Sequence, residues 1–248
     1  MSNSECRMSI VDIVVALYGD RGDLDRLTKS IEEHCYDYNL IVIDNNPPNE
    51  NKGFTKANNE GILKGTSEFI WLLNQDAIVL PRAQYALIDR FSYGKQVGIV
   101  GSMQRDYDDQ DIIRHGGTLR AFPAGAHAGG RVSMGHCNLP SKQTWVNFAS
   151  VMLRREMVNT IGPLDESMFL VYSDSDYCYY VRSKEYEVWY EPRSQVLHRL
   201  NVSKKPGEWH QKDMKAFMKK WGIVFVGEVE GQPQFRYSPE FAKLNEFP

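Results

Sequence analysis

Residues Glu68 to Pro81 read EFIWLLNQDAIVLP. An unbroken apolar run, Phe69 to Leu73, meets Asn74-Gln75-Asp76, and apolar residues resume at Ala77 to Leu80. So short a run of bulky side chains fits a strand buried on both faces of a sheet. A carboxylate inside such a sheet is costly unless it is paired or bound to a cation, which puts Asp76 just beyond the strand end. On this pattern alone two readings of Asp76 stand side by side: a metal ligand, or an Asx-turn that closes the strand.

The same succession of apolar run and polar cluster occurs twice upstream. Ile10 to Leu17, IVDIVVAL, ends in Tyr18-Gly19-Asp20-Arg21-Gly22-Asp23. The apolar period then changes to Leu24, Leu27 and Ile31, a helical spacing with Asp23 placed as N-cap. Leu40 to Ile43 ends in Asp44-Asn45-Asn46-Pro47-Pro48, where the prolines forbid continuation. Asn51-Lys52-Gly53-Phe54 leads into a second helix with Phe54, Ala57, Gly61 and Ile62 on one side.

Three strands separated by helices predict a parallel α/β sheet with right-handed crossovers. Ligands of such sheets bind beyond the carboxyl ends of the strands, so Tyr18 to Asp20, Asp44 to Asn46 and Asn74 to Asp76 are expected on one edge. Neither G-x-G-x-x-G nor G-x-x-x-x-G-K-[ST] follows the first strand, so no glycine-rich phosphate cradle is encoded. A divalent cation held by Asp76, Mg²⁺ or Mn²⁺, would neutralise a diphosphate instead.

Downstream, Pro81 is expected to open a third helix and Val97 to Val100 to form another short strand. From Arg105 to Ser141 the pattern dissolves into a glycine-rich span. It reads as a mobile excursion over a site, with Gly116-Gly117 and Gly129-Gly130 as hinge points. The spacing of His115, His127 and His136 matches no zinc pattern. Trp145 to Leu153 reads as a strand, followed by a short helix to Thr160 and a turn at Gly162 to Glu166. Ser173-Asp174-Ser175-Asp176 then heads a helix-like YCYYVRSKEY. It fits equally a helix start, with Ser173 as cap and acids favoured by the dipole, and a catalytic carboxylate. Glu187 to Tyr190 reads as a strand ended by Pro192, Val196-Leu197-His198 follows, and Gly207 to Trp221 is a final amphipathic helix.

The 248 residues are 42% hydrophobic and 12% aromatic, enough to bury a sizeable core. Twenty-nine basic against 32 acidic side chains, with a formal charge of −3 and no long run of either sign, argue against nucleic acid as a partner. No apolar stretch approaches the ~18 residues of a membrane span, and MSNSECRMS lacks an apolar signal core. A soluble, cytoplasmic protein without a transmembrane segment is expected. Cys6, Cys35, Cys137 and Cys178 are far apart and read as free thiols.

Taken together, Asp44-Asn45-Asn46, NKGFTKANNEGI from Asn51 and LLNQDAIV from Leu72 resemble the donor half of glycosyltransferase family 2. NFASVMLRREMVNTIGPLDESMFLVYSDSDYCYYVR from Asn147, with YEPRSQVLH from Tyr190, is similar to its acceptor half. The likeness runs from about Ile10 to Trp221 and is specific as an ordered combination. It implies a GT-A (Rossmann-like) α/β fold, a mostly parallel central sheet flanked by helices with a fused acceptor-binding half. One domain would span 1–222, with a donor half at about 8–103, an acceptor half at about 104–222 and a tail at 223–248. The resemblance further implies a nucleotide-sugar donor (UDP- or dTDP-sugar), a glycan or lipid-linked glycan acceptor with peripheral membrane contact through it, Mn²⁺ or Mg²⁺, and inversion at the anomeric carbon.

Carried over by position, Asp44 would hold the base or ribose, walled by the backbone of Ala16, Leu17 and Tyr18. Asn51, Gly53, Asn58, Asn59 and Asn74 would line the donor pocket. Asp76 and His198 would hold the metal, and Asp174 would deprotonate the acceptor hydroxyl with Asp176 in support. Asn74 in place of a first aspartate is common in rhamnosyltransferase-like members. Two departures stand out: Ser173-Asp174 where many relatives have Glu-Asp, and Phe148-Ala149-Ser150 where many have a small glycine motif. The rival classes fit less well. A sugar-1-phosphate nucleotidyltransferase would show a basic, glycine-rich signature where GDRGD stands. A binding module without catalysis would have lost Asp76 or Asp174. An inactive interaction protein is the third alternative.

Overall fold

The computed structural model describes residues 10–120, 122, 125–199 and 208–246. The first part alternates as expected: β1 (Val11–Leu17), α1 (Arg21–His34), β2 (Tyr38–Asp44), α2 (Gly53–Lys64), β3 (Phe69–Leu73), β4 (Ala77–Val79), α3 (Ala83–Phe91) and β5 (Val97–Asp106). A run of short strands follows, β6 (Ile112–His115), β7 (Thr118–Arg120), β8 (Ala126–His127), β9 (Gly130–Arg131) and β10 (Ser141–Lys142). Then come β11 (Ser150–Arg154), α4 (Arg155–Ile161), α5 (Ser173–Ser183), β12 (Glu187–His198), α6 (Glu208–Trp221), β13 (Val224–Val229), β14 (Gln232–Arg236) and α7 (Pro239–Asn245).

The main sheet has 10 strands, in the order β10-β12-β5-β11-β3-β1-β2 with β4, β6 and β9 attached at the side. It is mixed. β2, β1 and β3 are mutually parallel, and β5 is parallel to β12, but β11 runs antiparallel to both β3 and β5. Period-two alternation along the central strands divides the apolar residues between two cores. Val14, Ile70, Leu72, Val151 and Leu153 face one, with α5 and α6. Ile13, Val15, Trp71, Val100 and Met152 face the other, with α1 and α3.

Several local expectations are corrected by local chemistry. Asp20, not Asp23, caps α1, accepting the Gly22 N–H at 2.8 Å, while Asp23 pairs with Arg26 inside the first turn. Pro81 stands before α3 rather than opening it, and the residue between them, Arg82, is left-handed at φ 68°. The strand expected over Trp145 to Leu153 is confined to β11. Asn147 Oδ1 accepts the Ala149 N–H at 2.9 Å, and that side-chain turn keeps the preceding residues out of the ladder. Pro192 does not end a strand: β12 runs through it, with the register shift between Glu191 and Gln195 absorbing the residue that cannot donate. Gly207 and Cys6 lie outside the described residues; Cys35, Cys137 and Cys178 are free thiols.

Described residues of the glycine-rich span pair with one another. Gly116 N–H donates to Ala128 O at 2.8 Å and Ala128 N–H to Gly117 O at 2.9 Å. A Cβ on Gly129 would meet Ile113 O at 2.7 Å, and one on Gly116 would meet Cys137 Sγ at 2.5 Å. Close approach accounts for Gly116 and Gly129, while Gly117 and Gly130 sit at φ 100° and 155°. Residues after 222 also join the core: Ile223 and Phe241 are buried in the same cluster as Tyr179, Phe217 and Trp221.

Candidate active site

The parallel registry of β1, β2 and β3 brings their three following loops together, and backbone donors lock them. Asn45 N–H reaches Leu17 O at 2.9 Å and Gly19 N–H reaches Asn46 Oδ1 at 2.7 Å. Gln75 ties the third loop in: its Oε1 accepts the Tyr18 N–H at 2.5 Å and its Nε2 donates to Asp20 O at 3.2 Å. Sequence reasoning passed over Gln75, although an amide between two other polar residues at a strand end is suited to bridging loops. Leu17 is buried and offers only backbone, Ala16 is half-buried, and Tyr18 is exposed at the rim. Asp44 accepts the Asn46 N–H at 2.9 Å and the Arg21 guanidinium. Those hydrogen bonds hold its carboxyl below the usual range against a smaller opposing effect of burial.

Asp76 meets His198 because β4 pairs antiparallel with the end of β12, setting Ala77 opposite His198. His198 Nε2 lies 3.3 Å from Asp76 Oδ1 and 3.5 Å from Asn74 Nδ2. His198 is buried, and its Nδ1 has no hydrogen-bond partner among the described residues. One carboxylate oxygen and one imidazole nitrogen, Nε2, held 3.3 Å apart suit a divalent cation such as Mn²⁺, with further positions left to oxygens of a ligand or water. No group of three or more His, Cys, Asp or Glu capable of holding a metal occurs among the described residues. His115 and His127 contact each other through their Nδ1 atoms at 2.8 Å, and His136 Nδ1 accepts the Arg131 N–H at 2.8 Å, so the three histidines form no common site.

The two acids at the head of α5 face different surroundings. Ser173 is the first helical residue rather than the cap; that place belongs to Tyr172, at φ 64°, without a side-chain cap bond. Asp174 Oδ1 accepts the Ser175 N–H at 2.7 Å, and Asn147 Nδ2 stands 3.5 Å from Oδ2. Burial, only partly offset by backbone N–H donors, pushes the Asp174 carboxyl up to about 6. Asp176 turns inward to α6, bonded to Lys220 Nζ at 2.7 Å and Trp221 Nε1 at 2.8 Å. Burial raises its carboxyl too, against the pull of Lys220. Asn74 N–H donates to Ala149 O at 2.9 Å, and Ala149 bonds Asn147, so a short chain of contacts connects the strand end carrying Asp76 to the neighbour of Asp174.

The segment from Asn51 packs closely against the loop around Phe169. Asn51 Oδ1 accepts the Gly53 N–H at 2.9 Å. Gly53, at φ 76°, passes so close to Phe169 that a Cβ would lie 2.5 Å from its carbonyl oxygen. That carbonyl also accepts the Phe54 N–H at 2.8 Å. Asn58 and Asn59 are buried. Asn58 Nδ2 donates to Phe54 O at 2.9 Å, and Asn59 grips the backbone of Leu164 with Nδ2 (2.8 Å) and Oδ1 (3.0 Å). Asn59 Nδ2 also reaches Glu166 Oε1 at 3.1 Å, so these two amides tie α2 to itself and to the Leu164 turn. Also absent from the sequence reading was Asp213 on α6, buried and accepting the N–H groups of Phe169, Leu170 and Val171 at 2.9, 2.8 and 2.9 Å, which fixes the loop before Asp174. Trp209 stacks on Phe169 at 4.1 Å beside it.

No protein-family model matches the chain. It is 25% identical over 159 residues to the uncharacterized protein y4gI of Sinorhizobium fredii (strain NBRC 101917 / NGR234), covering 61% of this chain and 17% of that protein. Among solved structures it is similar to GalNAc-T7 crystallised with UDP, GalNAc and Mn²⁺ (TM-score 0.69, 14% identity), over 87% of this chain and 48% of that one. It is also similar to the mannosyltransferase PcManGT from Pyrobaculum calidifontis in complex with GDP-Man and Mn²⁺ (TM-score 0.59, 14% identity), over 95% of this chain and 68% of that one. The chain thus spans less than half of GalNAc-T7 and under a fifth of y4gI. No helix among the described residues is long and apolar enough to cross a membrane. The large mixed sheet flanked by helices is the fold of GT-A-type glycosyltransferases.

Proposed function

We propose that the chain is an inverting, metal-dependent glycosyltransferase of the family 2 type, moving a sugar from a nucleotide-sugar donor to a hydroxyl of a glycan or lipid-linked acceptor. The observation that carries this reading is the pairing of Asp76 with His198 at the same sheet edge that Asn147 and Ala149 connect to Asp174. The two solved structures similar in fold hold UDP with Mn²⁺ and GDP-Man with Mn²⁺, which supports a nucleotide-sugar donor here.

In this reading the loop backbones of Ala16 to Tyr18 wall the base and Asp44, ionised and oriented by Asn46, bonds the ribose or base. Asp76 and His198 would hold Mn²⁺ or Mg²⁺, which would supply positive charge against the diphosphate. Asp174 takes the proton from the acceptor hydroxyl as its oxygen attacks the anomeric carbon from the face opposite the leaving group. A carboxyl titrating near 6 is mostly ionised at neutral pH and is a stronger base than an ordinary aspartate. Asp176, occupied by Lys220 and Trp221, holds the helix that carries it.

A panel of nucleotide sugars tested by calorimetry with and without Mn²⁺ decides the matter. One donor binding only in the presence of the metal, and consumed slowly by hydrolysis, is the expected result. Absence of metal-dependent binding across UDP-, dTDP- and GDP-sugars would overturn it.

A further inference from the structure

A groove of about 410 Å³ opens between the turn after β4, the first residues of α3 and the neighbouring strands β5 and β12. It is lined by Leu80, Pro81, Arg82, Tyr85, Ala86, Arg105, Arg193 and Gln195. Three of these side chains are guanidinium groups and none is acidic. We infer that this groove is a second binding site, selective for anions of the phosphate class.

The three cations are held to different degrees. Arg193 is fixed from below by Asp89 (2.8 Å) and by the buried Glu191, which also neutralises Arg90. Arg105 is oriented without being neutralised: its Nε donates to Gln110 O at 2.6 Å and its Nη1 to Gln195 Oε1 at 2.9 Å, both uncharged acceptors. Arg82 is exposed, and its guanidinium carbon lies 5.7 Å from the centre of the Tyr85 ring. Neither Arg82 nor Arg105 has an ion-pair partner among the described residues. The groove therefore keeps two uncompensated charges beside a third fixed guanidinium, in a chain whose formal charge is −3. Planar, multidentate guanidinium donors on a concave wall suit phosphate oxygens better than any uncharged ligand.

The backbone adds a separate observation. Arg82 sits at φ 68°, a region that side chains other than glycine, asparagine and aspartate rarely adopt, at a helix N-cap where Ser, Thr, Asp or Asn would supply an acceptor. No side-chain cap bond forms there. A cation thus occupies a position where local stability favours glycine or a small polar residue, and strained positions of this kind cluster at ligand sites. The groove is continuous with β12, on which Arg193 and Gln195 precede His198, so an acceptor carrying a phosphate is one source of the anion and a free phosphate or diphosphate is the other.

The test titrates inorganic phosphate and pyrophosphate into the protein by NMR in the absence of divalent cations. A parallel arm measures co-sedimentation with phosphatidylcholine vesicles with and without phosphatidic acid. Arg82→Gly removes the guanidinium while relieving the backbone, so it is expected to fold at least as well as the parent; Arg105→Gln keeps the stem and the polar head. Both are expected to weaken binding by about tenfold, the loss of one charge-assisted contact, while Asp76→Asn leaves it unchanged. Pyrophosphate binding lost in both arginine variants supports the site with a free anion. Retention on phosphatidic acid vesicles alone, lost in the same variants, supports it with a lipid phosphate. Binding of neither probe, or binding indifferent to Arg82 and Arg105, overturns it, and the Asp76→Asn control keeps that outcome distinct from failure at the catalytic edge.

Discussion

His198 Nε2 faces Asp76 Oδ1 at 3.3 Å although 122 positions separate the two in the chain; the antiparallel pairing of β4 with the end of β12 brings them together. Because the register Ala77↔His198 sets the contact, either residue can be replaced without unmaking the sheet. Asp76→Asn and His198→Ala are expected to fold normally and to lose metal-dependent donor affinity by about tenfold or more, the least that removal of a direct ligand should cost. Calorimetry with Mn²⁺ and the donor checks both, and unchanged affinity in either variant would exclude that residue from the metal.

Asp174→Asn separates chemistry from stability by opposite signs. Turnover is expected to fall roughly 10²-fold with donor affinity nearly unchanged. For stability, the folded carboxyl titrates at about 6 and the reference value is 3.8, so between these the folded state holds more protons than the unfolded one. Stability from this group is present at low pH and declines as pH rises through about 6. The Asn variant should therefore be more stable than the parent at pH 8, by up to about 3 kcal/mol, and close to it near pH 4. The parent's turnover should rise with pH to a plateau above about 6. Melting curves at the two pH values and a pH–rate profile measure all three.

Asp176→Ala has the converse signature. It leaves Trp221 Nε1 buried without an acceptor and strips Lys220 of one of its two acids, Asp165 remaining at 3.0 Å. A loss of about 2–3 kcal/mol is expected, with turnover per folded molecule within about threefold of the parent. Collapse of turnover in a stable Asp176→Ala would move the base two residues along.

Much of this arrangement was legible because it rests on short-range pattern. The apolar runs before Tyr18, Asp44 and Asn74 announce strands, and parallel topology then obliges their ends to converge. Long-range commitments were not legible. Nothing local distinguishes Asn59 facing a ligand from Asn59 gripping Leu164, since the deciding partner lies 105 residues away. Pro192 and Pro81 misled for a related reason: a bulge and a left-handed Arg82 are tertiary solutions that propensity does not encode. The Ser173 to Asp176 cluster offered a helix start or a catalytic carboxylate, and the different surroundings of the two acids, with Lys220 and Trp221 on Asp176, come from α6, 44 and 45 residues away.

Phe241→Ala is expected to cost about 3–5 kcal/mol, the range for a buried phenyl group removed from a packed core. Chemical denaturation followed by tryptophan fluorescence measures it, and a loss below about 1 kcal/mol would show that the last helix is only loosely docked.

The same phenyl ring sets an order of events. It closes over Tyr179 on α5 at 5.0 Å and Trp221 on α6 at 5.9 Å, while Leu244 and Asn245 bond Arg182 and Tyr179 from the same helix. The helix that bears Asp174 therefore has no finished hydrophobic seat until residue 245 has emerged from the ribosome, long after the donor-side strands have had their full complement of neighbours. Nascent chains halted before that point should contain a formed Asp44 loop and an unfinished Asp174 helix, so the loops of the proposed donor site would form before the helix that carries the proposed base.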